Sequence, residues 1–399
     1  MDVPGVAIVS TLGLIVVGTS VVYLYLLVVG AIRRPAMFPV MEPGCRFAVA
    51  ISAHDEAQVI GQTVAHLYAQ DYPGKWFDVY VVADHCTDDT ASVARRAGAV
   101  CWERSDDVQE SKGTALSWLF ERIWQTRTPY DAVVIFDADT MVEANFLRVM
   151  AARLAQGDRV IQGQHRISNP QDGWVPALTW AMFLIDNRFQ NQGRANLGLS
   201  AKNMGDSICF STAVLRQVGF GSGLTEDYDL RFGLLLSGIR IAYEPAAVGL
   251  GEAPANWGDA RRQRERWLAG TYQSNCRYLA PMLRRVARLR RLDWALLDGI
   301  AQVLLLPYSV LVVASVIGLV WQWVVAPAWW WLWGGLVVAL FLYPFLGLAL
   351  EKAPLRAYLV ILTGPVFVVW RTWLALLLRL GLRSATWVRT PHRGKSRPG

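Results

Sequence analysis

Ala132-Val-Val-Ile-Phe-Asp-Ala-Asp139 is the stretch on which the fold class turns. An apolar, largely β-branched run of this length is a buried strand, and two carboxylates follow at its C-terminal end. Two carboxylates spaced i, i+2 cannot both be buried unpaired, because desolvating them is costly. A divalent cation resolves the conflict, since Mg2+ takes one or two carboxylates plus substrate phosphates. A solvated strand-end turn is the alternative. Working outward, further strands are expected over 47–52, 79–83 and 100–103, with helices over 58–69, 89–96 and 112–124. Strands alternating with such helices predict an α/β domain, a mainly parallel sheet covered on both faces. Ligands of these sheets bind at the carboxyl ends of the strands, where Asp84 and Asp137 both fall.

The chain around this block is not that of a soluble protein. Of 399 residues, 53% are hydrophobic and 18% charged, against about 25% charged in soluble domains. The long apolar runs lie in residues 6–30 and 295–382, whereas 46–270 has ordinary soluble composition. Residues 6–30 carry no charge. They outlast the roughly 7–15-residue core of a signal peptide and suffice to cross about 30 Å of hydrocarbon. The expectation is an N-terminal transmembrane anchor (1–32), a cytoplasmic domain (45–275), an interfacial amphipathic helix (276–293), a transmembrane or re-entrant region (294–382) and a basic cytoplasmic tail (383–399).

The net charge of +7 comes with arginines beside the apolar runs: Arg33 and Arg34, then Arg284, Arg285, Arg288, Arg290 and Arg291. That is the positive-inside pattern and argues against nucleic-acid binding. Residues 295–320 and 329–350 are span candidates, joined by a Trp-rich turn around Pro327. Residues 358–382 are interrupted at Gly364-Pro365, which favours a re-entrant hairpin, or an interfacial helix from Val366, over a full crossing. Five cysteines without a CxxC pair support neither zinc nor a disulfide framework.

Two more motifs carry chemistry. Thr225-Glu226-Asp227 can accept a proton from an attacking hydroxyl, or simply cap the helix expected at 228–236. In Gln263-Arg264-Glu265-Arg266-Trp267, guanidinium forks suit pyrophosphate and the Trp face suits a sugar ring, while a solvated basic helix face is the alternative. Ser52–Glu56 and Asp84 can meet a nucleoside. Lys112-Gly113, opening a helix, can meet a phosphate.

In this order, Ser-Ala-His-Asp-Glu (52–56), Val-Val-Ala-Asp-His-Cys-Thr-Asp (81–88), Lys112-Gly113, Asp137-Ala-Asp139, Thr-Glu-Asp (225–227) and Gln-Arg-Glu-Arg-Trp (263–267) resemble the family-2 glycosyltransferases. The likeness is closest to the membrane-embedded branch of cellulose, chitin, hyaluronan and poly-N-acetylglucosamine synthases. It covers about residues 45–275, the flanking membrane architecture and the tail Trp387-Val-Arg-Thr390. It implies a GT-A type, Rossmann-like cytoplasmic domain with α-helical transmembrane segments, and an inverting, metal-dependent transfer from a UDP-sugar. Carried across, Glu56, Asp84, Lys112, Asp137, Asp139, Gln263 and Arg266 would bind the nucleotide sugar. Asp139 would ligate Mg2+ or Mn2+, Asp227 would be the general base, and Glu226 and Trp267 would face the acceptor. Many relatives have two successive Asp where this chain has Ala83-Asp84, so the nucleoside contact rests on Asp84. Gly205–Ser211 falls in the acceptor-side loop of relatives with a looser match.

The expected product is a polysaccharide made processively at the plasma membrane and passed into a multi-pass membrane region, with an oligomer or accessory subunit compatible. The alternative is transfer of one sugar to a membrane lipid, since ceramide and diacylglycerol glucosyltransferases look similar in length and tail. A third reading, a nucleotide-binding scaffold without activity, conflicts with every acidic and basic position being filled.

Overall fold

The computed structural model describes residues 3–33, 44–106, 111–221, 226–325 and 329–380. Arg34, Thr225, Pro327 and the basic tail with Trp387 and Thr390 lie outside them. β1 (Phe47–Ala53) is apolar at successive positions and buried on both faces, as a central strand covered twice must be. It pairs in parallel with β2 (Phe77–Asp84) on one side and β4 (Ala132–Asp137) on the other. β3 (Val100–Arg104) extends the parallel half beyond β2. After β5 (Met141–Val142), β6 (Val160–Ile167), β7 (Ile208–Ser211) and β8 (Ala242–Gly251), the order is β3-β2-β1-β4-β7-β6-β8-β5. β7 runs antiparallel to both β4 and β6, so the second half is mixed. Because the chain leaves β1 to β2 in one direction and reaches β4 in the other, a crevice opens between the ends of β1 and β4. This is the switch point at which such sheets bind ligands. Register places Ser52 beside Asp137, and Asp84 beside Arg104.

Helices cover both faces. On one, α2 (Ile60–Tyr68), α3 (Thr90–Arg96) and α5 (Phe146–Ala155) pack on Val49, Ile51, Val79 and Phe136. On the other, α4 (Lys112–Gln125), α8 (Thr212–Val218) and α9 (Glu226–Leu236) pack on Ala48, Ala50, Val133 and Ile135. α6 (Trp174–Asp186) runs through a π-helical turn (Asn187–Gly193) into the short α7 (Arg194–Asn196).

α10 (Trp257–Arg288) is one continuous helix, capped by Asn256, whose side chain accepts from Asp259 N–H at 3.0 Å. The boundary expected at 275/276 therefore falls inside a helix: the motif around Arg266 and the amphipathic stretch share one rod. The span expected over 295–320 is divided into α11 (Trp294–Leu304) and α12 (Tyr308–Val325). Pro307, which lacks an N–H to continue a helix, sits at the break. α13 (Trp330–Leu350) follows. α14 (Leu355–Ile361) and α15 (Gly364–Arg379) are bent by 47° at the interruption expected before Pro365. With α1 (Val3–Ala31), three helices are long and apolar enough to cross a membrane, or four if the bent pair is one span.

α1 is seated on the π-helical turn through glycine. A Cβ on Gly30 would lie 2.5 Å from Gly193 O, and one on Gly193 2.4 Å from Leu27 O. Asn196 Nδ2 donates to Gly30 O at 2.9 Å, closing the joint. We expect Gly30→Ala to cost about 1–3 kcal/mol by overpacking and to lower Tm in detergent. Gly18→Ala, whose Cβ meets nothing within 4 Å, should not.

Candidate active site

The crevice is built from three strand ends and two helix starts. β4 delivers Asp137 and, after one turn, Asp139, both half-buried. Ser111 caps α4 by accepting from Thr114 N–H at 3.2 Å, which starts the helix at Lys112. The Lys112 ammonium ion-pairs with Asp137 and donates to Gly205 O at 2.7 Å. Burial works to lower the Lys112 pKa, but the charges of Asp137, Glu226 and Asp206 prevail and raise it, so the ammonium persists. Gly113 lets α4 approach α9: a Cβ there would lie 1.9 Å from Gly221 O and 3.0 Å from Glu226 Cβ.

Glu226 and Asp227 open α9. Gly205 lies against Asp227, with its missing Cβ position 3.6 Å from Asp227 Cβ. Burial, followed by the neighbouring charge of Glu226, pushes the Asp227 carboxyl up to about 7. Burial raises Glu226 too, against the pull of Lys112. The Arg266 guanidinium, lowered by burial, is held by the charges of Glu226, Asp137 and Asp227. Asp229 fixes α9 to α10, accepting from Ser274 Oγ and Arg277 Nη1, each at 2.6 Å. Thus the motifs around residues 112, 137, 226 and 266 share one cleft, with Gln263 half-buried one turn before the exposed Trp267.

Other expected residues are placed differently. Asp84 is at its strand end but 4% exposed, its Oδ1 2.9 Å from both Arg104 Nη1 and His85 Nδ1. Glu56 is half-buried, and its N–H donates to Thr90 Oγ1 at 2.7 Å. Asp55, Cys86 and Asp88 bring their ligand atoms within 4.8 Å of one another. Yet Asp55 Oδ1 accepts from Thr87 N–H at 2.6 Å and Asp88 N–H at 3.2 Å, so this group closes the loops after β1 and β2.

The sequence reading set Gly205–Ser211 on the acceptor side without a role for Asp206, and missed His165. Asp206 is fully buried and accepts from Asp137 N–H and Thr140 Oγ, both at 3.0 Å, so it holds the whole 137–140 turn. Its other oxygen meets His165 Nδ1 at 2.7 Å and Ser207 Oγ at 3.0 Å. Gly205 (φ 75°) and Ser207 (φ 55°) on either side are left-handed, a cost of order 1–3 kcal/mol for a non-glycine residue, of the sort that clusters at functional sites. Burial opposes both charges, but their hydrogen bond raises His165 and lowers Asp206. The stability His165 adds is complete below its usual 6.5 and is lost as pH rises through its raised value. We expect Asp206→Asn to destabilise the fold by about 3–5 kcal/mol in denaturant titration, as breaking a buried pair does. It should also weaken binding of UDP with Mn2+ in calorimetry, because the turn carrying Asp137 and Asp139 loses its anchor.

The acid-rich cleft fits a divalent cation. Asp137, Asp139, Glu226 and Asp227 offer hard oxygen donors, as Mg2+ and Mn2+ require. Burial is the main reason the Glu226 and Asp227 carboxyls are raised, and the nearby Lys112 offsets it only in part.

Comparison with known proteins bears on the family and the fold. An N-acetylglucosaminyltransferase of Rhizobium leguminosarum bv. viciae is 25% identical over 251 residues, 60% of this chain and 58% of that protein. The poly-beta-1,6-N-acetyl-D-glucosamine synthase of Staphylococcus aureus is 26% identical over 234 residues, 56% of this chain and 54% of that one. The chain thus spans just over half the length of these curated relatives. The mannosyltransferase PcManGT of Pyrobaculum calidifontis, solved with GDP-Man and Mn2+, shares the fold with a TM-score of 0.56 at 17% identity. The match covers 95% of this chain and 97% of that one. The architecture is the GT-A type, and with the model for "Glycosyltransferase like family 2" matching residues 43–270, the chain belongs to family 2 of the glycosyltransferases.

Proposed function

We propose that this chain is a membrane-bound inverting glycosyltransferase that moves a hexose or N-acetylhexosamine from a UDP-sugar to a growing polysaccharide. The convergence of Asp137, Glu226, Asp227 and Arg266 in one cleft carries the reading. The names of the two curated relatives favour N-acetylglucosamine as the sugar. The chain divides into the anchor (1–32), catalytic domain (45–275), interfacial segment (276–293), membrane region (294–382) and tail (383–399). The catalytic domain faces the cytoplasm from a multi-pass protein of the plasma membrane. The three apolar helices and the arginines following α10 support this orientation. Partner subunits or self-association are compatible with it.

The acceptor hydroxyl gives its proton to Asp227 as its oxygen attacks the anomeric carbon. The bond from that carbon to the β-phosphate oxygen breaks, and its electron pair leaves with the nucleoside diphosphate. General-base catalysis of this kind contributes typically about 10²–10⁴-fold. Arg266 offsets the charge growing on the diphosphate, in a cleft where fixed charges act strongly. Lys112, through its ion pair, orients Asp137 for the ribose-pyrophosphate side, and Asp139 would hold Mg2+ or Mn2+. The cation, when bound, supplies Lewis-acid neutralisation of the leaving diphosphate. Glu56 and Asp84 border the nucleoside, Asp84 through its fixed array with Arg104 and His85. Gln263 flanks the pyrophosphate, and Glu226 and the exposed Trp267 face the acceptor sugar.

Transfer of one sugar to a membrane lipid is the second reading, favoured by the small number of apolar helices after the catalytic domain. Incubation with labelled UDP-N-acetylglucosamine and lipid extract separates the two. Solvent-resistant label of high mass supports the polymer, and one solvent-soluble species overturns it.

Two predictions test the base. Asp227→Asn should abolish transfer while leaving UDP affinity in calorimetry nearly unchanged; equal loss of both would refute the assignment. Since the Asp227 carboxyl is raised to about 7, its basic form is lost as pH falls through that value. The expected kcat/KM of the wild type falls about tenfold per pH unit below about 7, whereas UDP affinity does not follow that slope.

A further inference from the structure

α1 and α11 enclose an apolar groove of about 430 Å3, lined by Val22, Tyr23, Leu26, Leu297, Ile300 and Leu304 among others. Val22 and Leu26 are 61% and 55% exposed, and Leu304 60%, so the groove opens sideways from the apolar helix surface rather than toward the catalytic cleft. In a bilayer that opening faces hydrocarbon. Its polar point is Tyr23, whose OH donates to Asp298 Oδ1 at 2.7 Å and accepts from Arg194 Nη2 at 2.7 Å. Arg194 Nε in turn meets Asp298 Oδ2 at 3.0 Å.

Behind Tyr23 the charges do not balance. Arg231 of α9 is 2% exposed, and its Nε and Nη2 are buried without a hydrogen-bond partner among the described residues. It lies one turn before Leu235, on the face that packs against Gly299 of α11, next to Asp298. Ile300 belongs both to that packing and to the groove wall. The charges of Arg194, Asp298 and Tyr23 all act on Arg231. Among the described residues, Asp298 is the carboxylate whose charge acts on both guanidinium groups, in a place where an uncompensated charge is expensive. The surface leading there is basic and apolar at once: Arg288, Arg290 and Arg291 alternate with the exposed Leu289, Leu292 and Trp294. Such a surface draws anionic headgroups.

We propose that the α1–α11 groove seats one acyl chain of an anionic phospholipid from the cytoplasmic leaflet, with its phosphate at the Tyr23 end offsetting the surplus charge of Arg194 and Arg231. The occupant is a lipid rather than a free anion because the groove is apolar and open to hydrocarbon. This rests on the reading that α1 lies in the membrane. Since Arg231 and the Glu226–Asp227 pair share α9, the lipid steadies the helix that presents the catalytic carboxylates.

The test places the full-length protein in nanodiscs of phosphatidylcholine alone, or of phosphatidylcholine mixed with phosphatidylglycerol. Melting is followed in both, and native mass spectrometry counts the lipid retained after detergent extraction. Wild type should retain one phosphatidylglycerol and melt at least about 3 °C higher in the mixed discs, by linkage to the bound lipid. Arg231→Met should abolish the difference between discs, and so should Ala301→Trp, which fills the groove from its far wall and leaves both arginines in place. Equal melting of the wild type in the two lipids, or unchanged phosphatidylglycerol retention by both variants, would overturn the proposal. So would the same stabilisation by inorganic phosphate added to phosphatidylcholine discs, which would assign the charge to a free anion. Failure to enter discs of either composition would sink the membrane reading itself, a result distinct from entry without lipid preference.

Discussion

The ion pair between Lys112 and Asp137 is the contact on which the catalytic geometry depends. It ties the first residue of α4 to the last residue of β4 and, through the Gly205 carbonyl, to the turn that carries Asp206. Each partner is fixed from behind: α4 by its Ser111 cap, the β4 turn by Asp206, and the approach of α9 by the absence of a side chain at Gly113. Removing the ammonium would leave Asp137, Glu226 and Asp227 to repel one another in a place where desolvation already works against their charge. Lys112 is thus a structural cation first, the charge that lets these carboxylates share the cleft.

The second organising feature is α10. Arg266 on one side of it answers the cleft carboxylates, while Arg264, two residues earlier and so on nearly the opposite side, is turned to the apolar helices. Arg264 donates to Thr179 Oγ of α6 at 2.7 Å and lies 4.5 Å over the Phe367 ring of α15. Further along, Ser274 and Arg277 bind Asp229 of α9. One helix therefore carries Arg266, the packing against the bent α14–α15 pair and the basic amphipathic end.

The catalytic frame was legible in sequence because its signals are local. A β-branched run ending in Asp-Ala-Asp, a polar residue before a helix at Lys112 and an acidic pair before a helix at Tyr228 each describe a strand end or a helix start. The continuity of α10 was not legible: Gly270 and Pro281 stand on either side of the expected 275/276 boundary, yet the helix runs through both. The division at Pro307 was fully legible, since a proline inside a proposed span removes a helix donor, and the hydropathy of 295–320 outweighed that signal. Asp206 was not legible. It stands 69 residues from the amide it holds, in a segment whose chemistry shows only when β6 and β7 bring His165 and Asp206 to the back of the Asp137 turn.

Asp84 shows how a motif departure is absorbed physically. With alanine at 83, buried in the core, a single carboxylate is left at the β2 end. That carboxylate is enclosed by Arg104 from β3 and by His85, which is itself left-handed at φ 50°. His85 Nε2 also meets Asp106 O at 2.6 Å, and Arg104 Nε meets Asp106 Oδ2 at 2.8 Å. The result is a closed array across the ends of β2 and β3, in which one oxygen of Asp84 takes both the guanidinium and the imidazole contact. The array stands at the carboxyl ends of these strands as a unit, its orientation set by the β2–β3 register that places Asp84 beside Arg104.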